Sequence, residues 1–222
     1  MDFDVLPGPP LAEVARTTLA SVSAAVVSFA GPLALPPLTV PMRAGRMGDP
    51  VLLPPEGSMV ARHLAARPAA VTVTVPADAP FSALRLTGTA QPGGCEPAAY
   101  PVVLRSVEFT GAVPAPVALA QYEAAAPDPF RREAPAILRH LERCHMPELV
   151  CCVRAHGMTA AEYVIPRRLD RFGLEFLVLM PSGLAAVRLA FPDGPVTDLA
   201  DVPVSIRAVL TCRCASGSHQ RP

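Results

Sequence analysis

At 222 residues and zero formal net charge at neutral pH, the chain has room for one large domain or two small ones. All 19 basic residues are arginine and they are dispersed, which excludes a clustered nucleic-acid footprint and any lysine-based Schiff base or P-loop. No apolar run reaches the roughly 18 residues of a membrane span.

The opening MDFD lacks the basic start of a secretory leader, so a soluble, cytoplasmic protein is expected. The six cysteines include the adjacent pair Cys151-Cys152 and the close pair Cys212 and Cys214. Such spacings are poor for a disulfide framework, and thiols are expected.

Taken in order, Leu11 to Leu19 reads as a helix with Leu11, Val14, Ala15 and Leu19 on its apolar side. Ser21–Phe29 and Leu33–Val40 read as strands about the Gly31-Pro32 turn, and Val51–Leu53 as a third. Ser58 is placed to cap a helix running to Ala66, and Pro68 stops it. Val71–Val75 alternates valine and threonine, the mark of a half-buried strand. In Ala83–Gln91, Leu84, Leu86 and Gly88 share one side while Arg85, Thr87 and Thr89 share the other. Val102–Phe109 is the last strand of this half. Several short strands with one helix among them predict a small antiparallel barrel.

The stretch SMVARHLAARPAAVTVTVPADAPFSALRLTGTAQ resembles the core of the FMN-binding split-barrel proteins of the pyridoxamine-phosphate-oxidase-like fold. The resemblance spans about half of the barrel and is one of pattern: a short helix, a valine-rich strand, then a strand closing on Leu-x-Gly-x-Ala.

Residues 112–118 are proline-rich and read as a linker, and Asp128 is placed as a helix cap after Pro127. A helix is predicted from Arg131 to Arg154, kinked or split at Pro147. Tyr163–Ile165, Leu174–Met180 and Ala185–Phe191 read as strands, with turns at Phe172-Gly173 and 181–183. Asp198 to Cys212 reads as a closing helix whose apolar face holds Val202, Ile206, Val209 and Leu210.

A His-bearing helix followed by LDRFGLEFLVLMPSG and VRLAFPDGPVTDLADV resembles the C-terminal domain that follows split barrels in HugZ-type haem-utilisation proteins and related haem-binding proteins. This resemblance covers roughly residues 133–214. The family's helix reads His-Met-Asn-x-Asp-His. Here His140 and His145 keep the spacing, while Glu142 and Cys144 replace the Asn and Asp.

Five residues apart on a regular helix, His140 and His145 stand roughly 140° apart at ~100° per residue and cannot share one metal without distortion. Leu138, Leu141, His145, Leu149 and Cys152 form one stripe. His145 therefore faces a packed surface, and His140 lies off it. The plain reading makes His145 a hydrogen-bonded core or interface histidine. The resemblance implies instead that one of the two gives an axial nitrogen to haem iron. A zinc or iron–sulfur site drawing on His140, Cys144, Cys151, Cys152 and His156 lacks any CxxC pair.

Flavin binding on the barrel would need Arg43, Arg46, Arg62, Arg85 or Ser58 at the phosphate, but there is no Gly-rich cradle. His63 and Arg62, on the barrel helix, are the residues nearest a cofactor role there. Arg167, Arg168, Asp170 and Arg171 form a charged cluster, either a solvated turn or a clamp for haem propionates.

The expectation is an α+β protein with a split-barrel domain at 1–125, a haem-utilisation-type αβ domain at 126–216 and a tail at 217–222. Its leading function is haem or related tetrapyrrole binding, extending to haem degradation if it is an oxidoreductase. A flavin-dependent oxidoreductase and a catalytically silent binding module stay open beside it. The resemblance implies a homodimer; neither nucleic acid nor membrane is expected as a partner.

Overall fold

The structure, a computed structural model, describes residues 8–31, 36–78, 80–93, 96 and 98–211. Cys212, Cys214, the tail 217–222 and residues 33–35 of the second predicted strand lie outside the described residues. Pro10–Pro127 packs as one unit and the described residues from Asp128 onward as another.

The first unit runs α1 (Leu11–Ala20), β1 (Ala24–Phe29), β2 (Leu38–Ala44), β3 (Pro50–Leu52), α2 (Met59–Ala66), β4 (Ala69–Pro76), β5 (Phe81–Ala90), β6 (Tyr100–Gly111), β7 (Ala115–Val117) and α3 (Leu119–Ala124). The strands follow the order β3-β2-β1-β4-β5-β6-β7, and β3 also pairs with β6. This closes a six-stranded antiparallel barrel and leaves β7 as an extra edge strand. Period-2 patterning fixes the register: Val27, Val73, Leu86 and Val107 lie in one cross-strand row, all buried. Burying each such side chain contributes about 1.5–3 kcal/mol.

Local chemistry sets the boundaries. The Ser58 hydroxyl accepts from the Ala61 amide at 3.1 Å, capping α2. Arg67, ahead of Pro68, is extended at φ −168°, because proline disfavours helical backbone in the residue before it. At Gly88 the β5–β6 register shifts, and a Cβ there would sit 2.3 Å from the Val103 carbonyl oxygen. Only glycine allows that approach. Buried Tyr122 donates to the Gly48 carbonyl at 2.6 Å, and the Arg16 guanidinium lies over its ring and bonds the Met47 carbonyl. Burial pushes the Tyr122 phenol well above its ordinary range, more than Arg16 lowers it, so it stays a donor.

The predicted strand at Ser21 begins later, because α1 continues to Ala20 and Ser21 is its C-cap. Residues 112–118 are not all linker. Ala115–Val117 pairs with Val107–Phe109, and Pro116 is tolerated because β7 lies at the sheet edge.

The second unit runs α4 (Ala134–Cys144), α5 (Met146–Ala155), β8 (Tyr163–Asp170), β9 (Gly173–Met180), β10 (Gly183–Ala190), a 3-10 turn at Leu199–Asp201 and α6 (Val202–Thr211). The strands form one antiparallel sheet in the order β10-β9-β8. Its buried side packs Val164, Leu174, Phe176 and Val178 with Leu149, Val153, Val202 and Val209 from the helices. Asp198 caps the 3-10 turn, its Oδ1 accepting from the Ala200 amide at 2.9 Å.

Two expectations change here. β8 runs five residues past Ile165, because Pro166 sits beside a bulge on an edge strand. The cluster at 167–171 is consequently not a solvated turn. Asp170 is buried, accepts from the Phe172 amide at 2.9 Å and pairs with Arg188. Asp128 is no simple helix cap either. Its Oδ1 accepts from the Phe130 amide and its Oδ2 from the Arg171 amide, each at 2.8 Å, which ties the start of the unit to the β8–β9 turn. Among the described residues no helix is long and apolar enough to cross a membrane.

Candidate functional site

The site begins with the break in the predicted helix. α4 ends at Cys144, and His145 leaves helical geometry with φ −130° and ψ 24°. α5 starts at Met146 with Pro147 in its first turn, where proline's missing N–H costs nothing. The His145 amide still donates to the Leu141 carbonyl and its carbonyl accepts from the Leu149 amide, both at 2.9 Å. The residue is thus held from both helices.

This break undoes the regular-helix geometry expected for the pair. The His140 and His145 rings stand edge-on, with centroids 5.2 Å apart and planes at 73°. His145 does not disappear into the core: its side chain keeps 39% of its exposure, and Nδ1 lies 3.9 Å from Glu148 Oε1. His140 is exposed, and among the described residues no hydrogen bond or ion pair holds its ring.

Both histidines line a groove of about 900 Å³ whose walls come from α4, the first turn of α5 and α6. That volume lies within the ~300–1,000 Å³ usual for small-molecule sites. Ile137, Leu141, Leu199, Val202, Ile206 and Leu210 make the walls apolar. Arg132 and Glu133 stand at the start of α4, Glu148 beside the histidines, and Arg207 on α6. An apolar slot with two imidazoles and two guanidinium groups fits a flat, largely apolar ligand that carries carboxylates and takes a nitrogen donor. Haem has that chemistry, and this lining fits it.

The other predicted residues fall elsewhere. Arg167 is exposed and Arg168 half-buried on β8, and neither lines the groove. Arg62 and His63 belong to α2 in the barrel unit. Arg62 donates to the Gly57 carbonyl at 2.5 Å, and His63 packs edge-on against Phe29 with centroids 5.4 Å apart. Among the flavin-phosphate candidates, Arg43 pairs with Glu96, Arg85 with Glu108, and Ser58 caps α2.

His156 also lies apart from the groove. Its Nδ1 is 2.9 Å from the Cys152 carbonyl, which fixes that nitrogen as the donor. The Cys152 Sγ bonds the Val209 carbonyl at 3.4 Å, and Cys144 and Cys151 are exposed. Among the described residues no three of His, Cys, Asp and Glu gather as a metal cluster.

No protein-family model matches this chain, and no curated protein does. Solved structures do. That of a haem-binding protein from Mycobacterium smegmatis is similar over 92% of this chain and 98% of its own, with a TM-score of 0.67 at 21% sequence identity. The likeness establishes the fold: a split barrel with a small αβ unit after it. A protein of unknown function from Agrobacterium tumefaciens C58 covers 95% of this chain and 100% of its own at 18% identity, with a TM-score of 0.39.

Arg132, Glu133, Ile137, Glu148, Leu199 and Arg207 are among the groove residues that the sequence reading missed. Glu148 had a local signal, since it stands three residues after His145 on the next helix. Leu199 and Arg207 had none, because the meeting of α4 and α6 around one groove is tertiary.

Proposed function

We propose that this protein binds haem, or a closely related tetrapyrrole, in the groove walled by α4, α5 and α6. The observation that carries this reading is the pair of imidazoles at 5.2 Å, set in an apolar groove of about 900 Å³. The fold shared with a haem-binding protein supports it.

Each part of the lining has a distinct task. Ile137, Leu199, Val202 and Ile206 exclude water from the ligand's faces, and the driving force is the burial of apolar surface. Arg132 and Arg207 offer planar guanidinium groups that pair with carboxylates. An imidazole nitrogen supplies the metal ligand. Haem, once bound, would bring a redox-active iron whose potential is tuned by that nitrogen and by the dryness of the groove. Oxidative degradation of the ring is the enzymatic extension of this proposal, and a homodimer is its expected assembly. The flavin alternative has less support, since Arg43, Arg62, Arg85 and Ser58 among its phosphate candidates are engaged with partners inside the barrel unit.

The test is a haemin titration of the full chain followed by Soret absorbance, with the double variant His140→Ala/His145→Ala alongside. Saturable one-to-one binding that is lost in the double variant is the expected result. Weak, unsaturable binding that is the same in both proteins would remove the haem reading.

A further inference from the structure

His140 and His145 sit side by side in the groove, yet they are not equivalent. Resting on the haem reading above, we propose that His145 is the iron ligand, through Nε2, and that Glu148 is its positioning residue.

Backbone position and a carboxylate separate the two rings. His145 lies at the joint of two helices, bonded by its amide to α4 and by its carbonyl to α5, whereas His140 is held inside α4 by that helix's own bonds.

Glu148 Oε1 stands 3.9 Å from Nδ1 of His145, beyond direct hydrogen-bond length but close enough for its charge to favour the proton on that nitrogen. In a neutral imidazole only one nitrogen carries hydrogen, so a proton on Nδ1 leaves the Nε2 lone pair for a metal. Metal-binding histidines commonly give their other ring N–H to a carboxylate, which fixes tautomer and orientation and raises basicity. Among the described residues His140 has no such partner.

The 73° edge-on packing of the two rings restricts both of them, so in this assignment His140 serves as a buttress to His145. Both rings line the same groove, and the assignment gives one of them to the metal.

The experiment uses the full chain with haemin as the probe, comparing wild type with His140→Ala, His145→Ala and Glu148→Gln. His145→Ala is expected to shift the Soret band and weaken binding, whereas His140→Ala keeps the wild-type band position. If His145→Ala does not fold by circular dichroism, His145→Gln takes its place, because it keeps a polar side chain at the joint.

Glu148→Gln is expected to weaken haemin binding by about tenfold, the lower end of outer-shell effects on metal affinity. It should also raise the ferric/ferrous midpoint potential, because a less basic imidazole stabilises ferric iron less. Without haem, ¹⁵N shifts of the His145 ring should show the Nδ1–H tautomer in wild type and a loss of that preference in Glu148→Gln.

The outcomes are distinct. Failure of wild type to bind haemin saturably removes the groove reading and the ligand assignment together. Saturable binding that is lost in His140→Ala and kept in His145→Ala leaves the haem reading standing and overturns the assignment. Normal affinity, potential and tautomer in Glu148→Gln overturn the positioning role.

Discussion

Both units pair polar groups internally, and the αβ unit also keeps an apolar groove open. In the barrel unit the chain answers its own chemistry. Arg43 meets Glu96, Arg85 meets Glu108, Arg62 meets the Gly57 carbonyl, and Tyr122 meets Gly48. In the αβ unit the sheet is equally well packed, but the apolar surfaces of α4 and α6 stay open around two histidines. A large contiguous exposed apolar surface commonly marks a binding site. On the haem reading, the contrast assigns the binding chemistry to the second unit.

The largest effect is expected where the barrel is most tightly packed. Phe109→Ala removes a fully buried ring that stacks on Phe81 with centroids 4.3 Å apart. It should cost about 3–5 kcal/mol, read as a lower urea midpoint. The haemin end point of the folded fraction should not change, which is the sharpest form of the contrast. Loss of haemin binding in that folded fraction would break it.

Next comes the buried pair of the αβ unit. Arg188→Ala leaves the Asp170 carboxylate buried without its cation, a loss of about 3 kcal/mol. Chemical denaturation followed by circular dichroism measures it.

Asp128 gives a pH signature instead. Burial raises its pKa above the ordinary carboxylate value, against the opposing hydrogen bonds from the Arg171 and Phe130 amides. A carboxyl whose folded pKa is raised contributes stability that is full below its unfolded pKa and falls as pH rises through the folded one. The stability of wild type relative to Asp128→Asn should therefore decrease with rising pH across the range just above ~4. Urea midpoints of the two proteins across that range check the sign. A difference that grows with pH would contradict it.

Smaller still is the stability effect of Leu199→Asp in the groove wall, where the side chain is already 43% exposed. Stability should change by no more than about 0.5 kcal/mol, as at most surface positions. Haemin affinity should fall about tenfold, a change of roughly 1.4 kcal/mol. Smallest of all is Arg85→Ala on the barrel surface. This exposed pair with Glu108 is worth about 0–1 kcal/mol, and a haemin titration should not register its loss.

Much of the barrel was legible because strand patterning is local. The Val/Thr alternation of Val71–Val75 and the faces of Leu84, Leu86 and Gly88 read directly as β4 and β5. Proline misled the reading at edge strands. Pro116 and Pro166 are signals against a strand, yet β7 and β8 both hold one where the sheet asks for no donor.

Of the candidate groove, the two histidines were legible in the sequence and their geometry was not. Pro147 announced a break near His145, but a sequence cannot say which way a broken helix turns its rings. The stripe through Leu141, His145 and Leu149 assumed regular turns. With His145 outside the helix, Leu141 and Leu149 stay buried while the imidazole turns out beside His140. The face of α6 was read as apolar, and it is. Only the tertiary fold reveals that part of it lines the groove.

The helices that wall the groove are short: α4 has 11 residues, α5 has 10 and α6 has 10. Isolated helices below about 12–15 residues are marginal in water, so these exist only through what they pack against. The groove and its occupant therefore share one thermodynamic cycle. A ligand that binds only the folded form shifts the unfolding equilibrium by mass action, adding about 2.7 kcal/mol when present at a hundred times its Kd. On the haem reading, occupancy and helix order in this unit would rise and fall together, and fraying of the groove walls, followed by amide exchange, would gauge how full the site is.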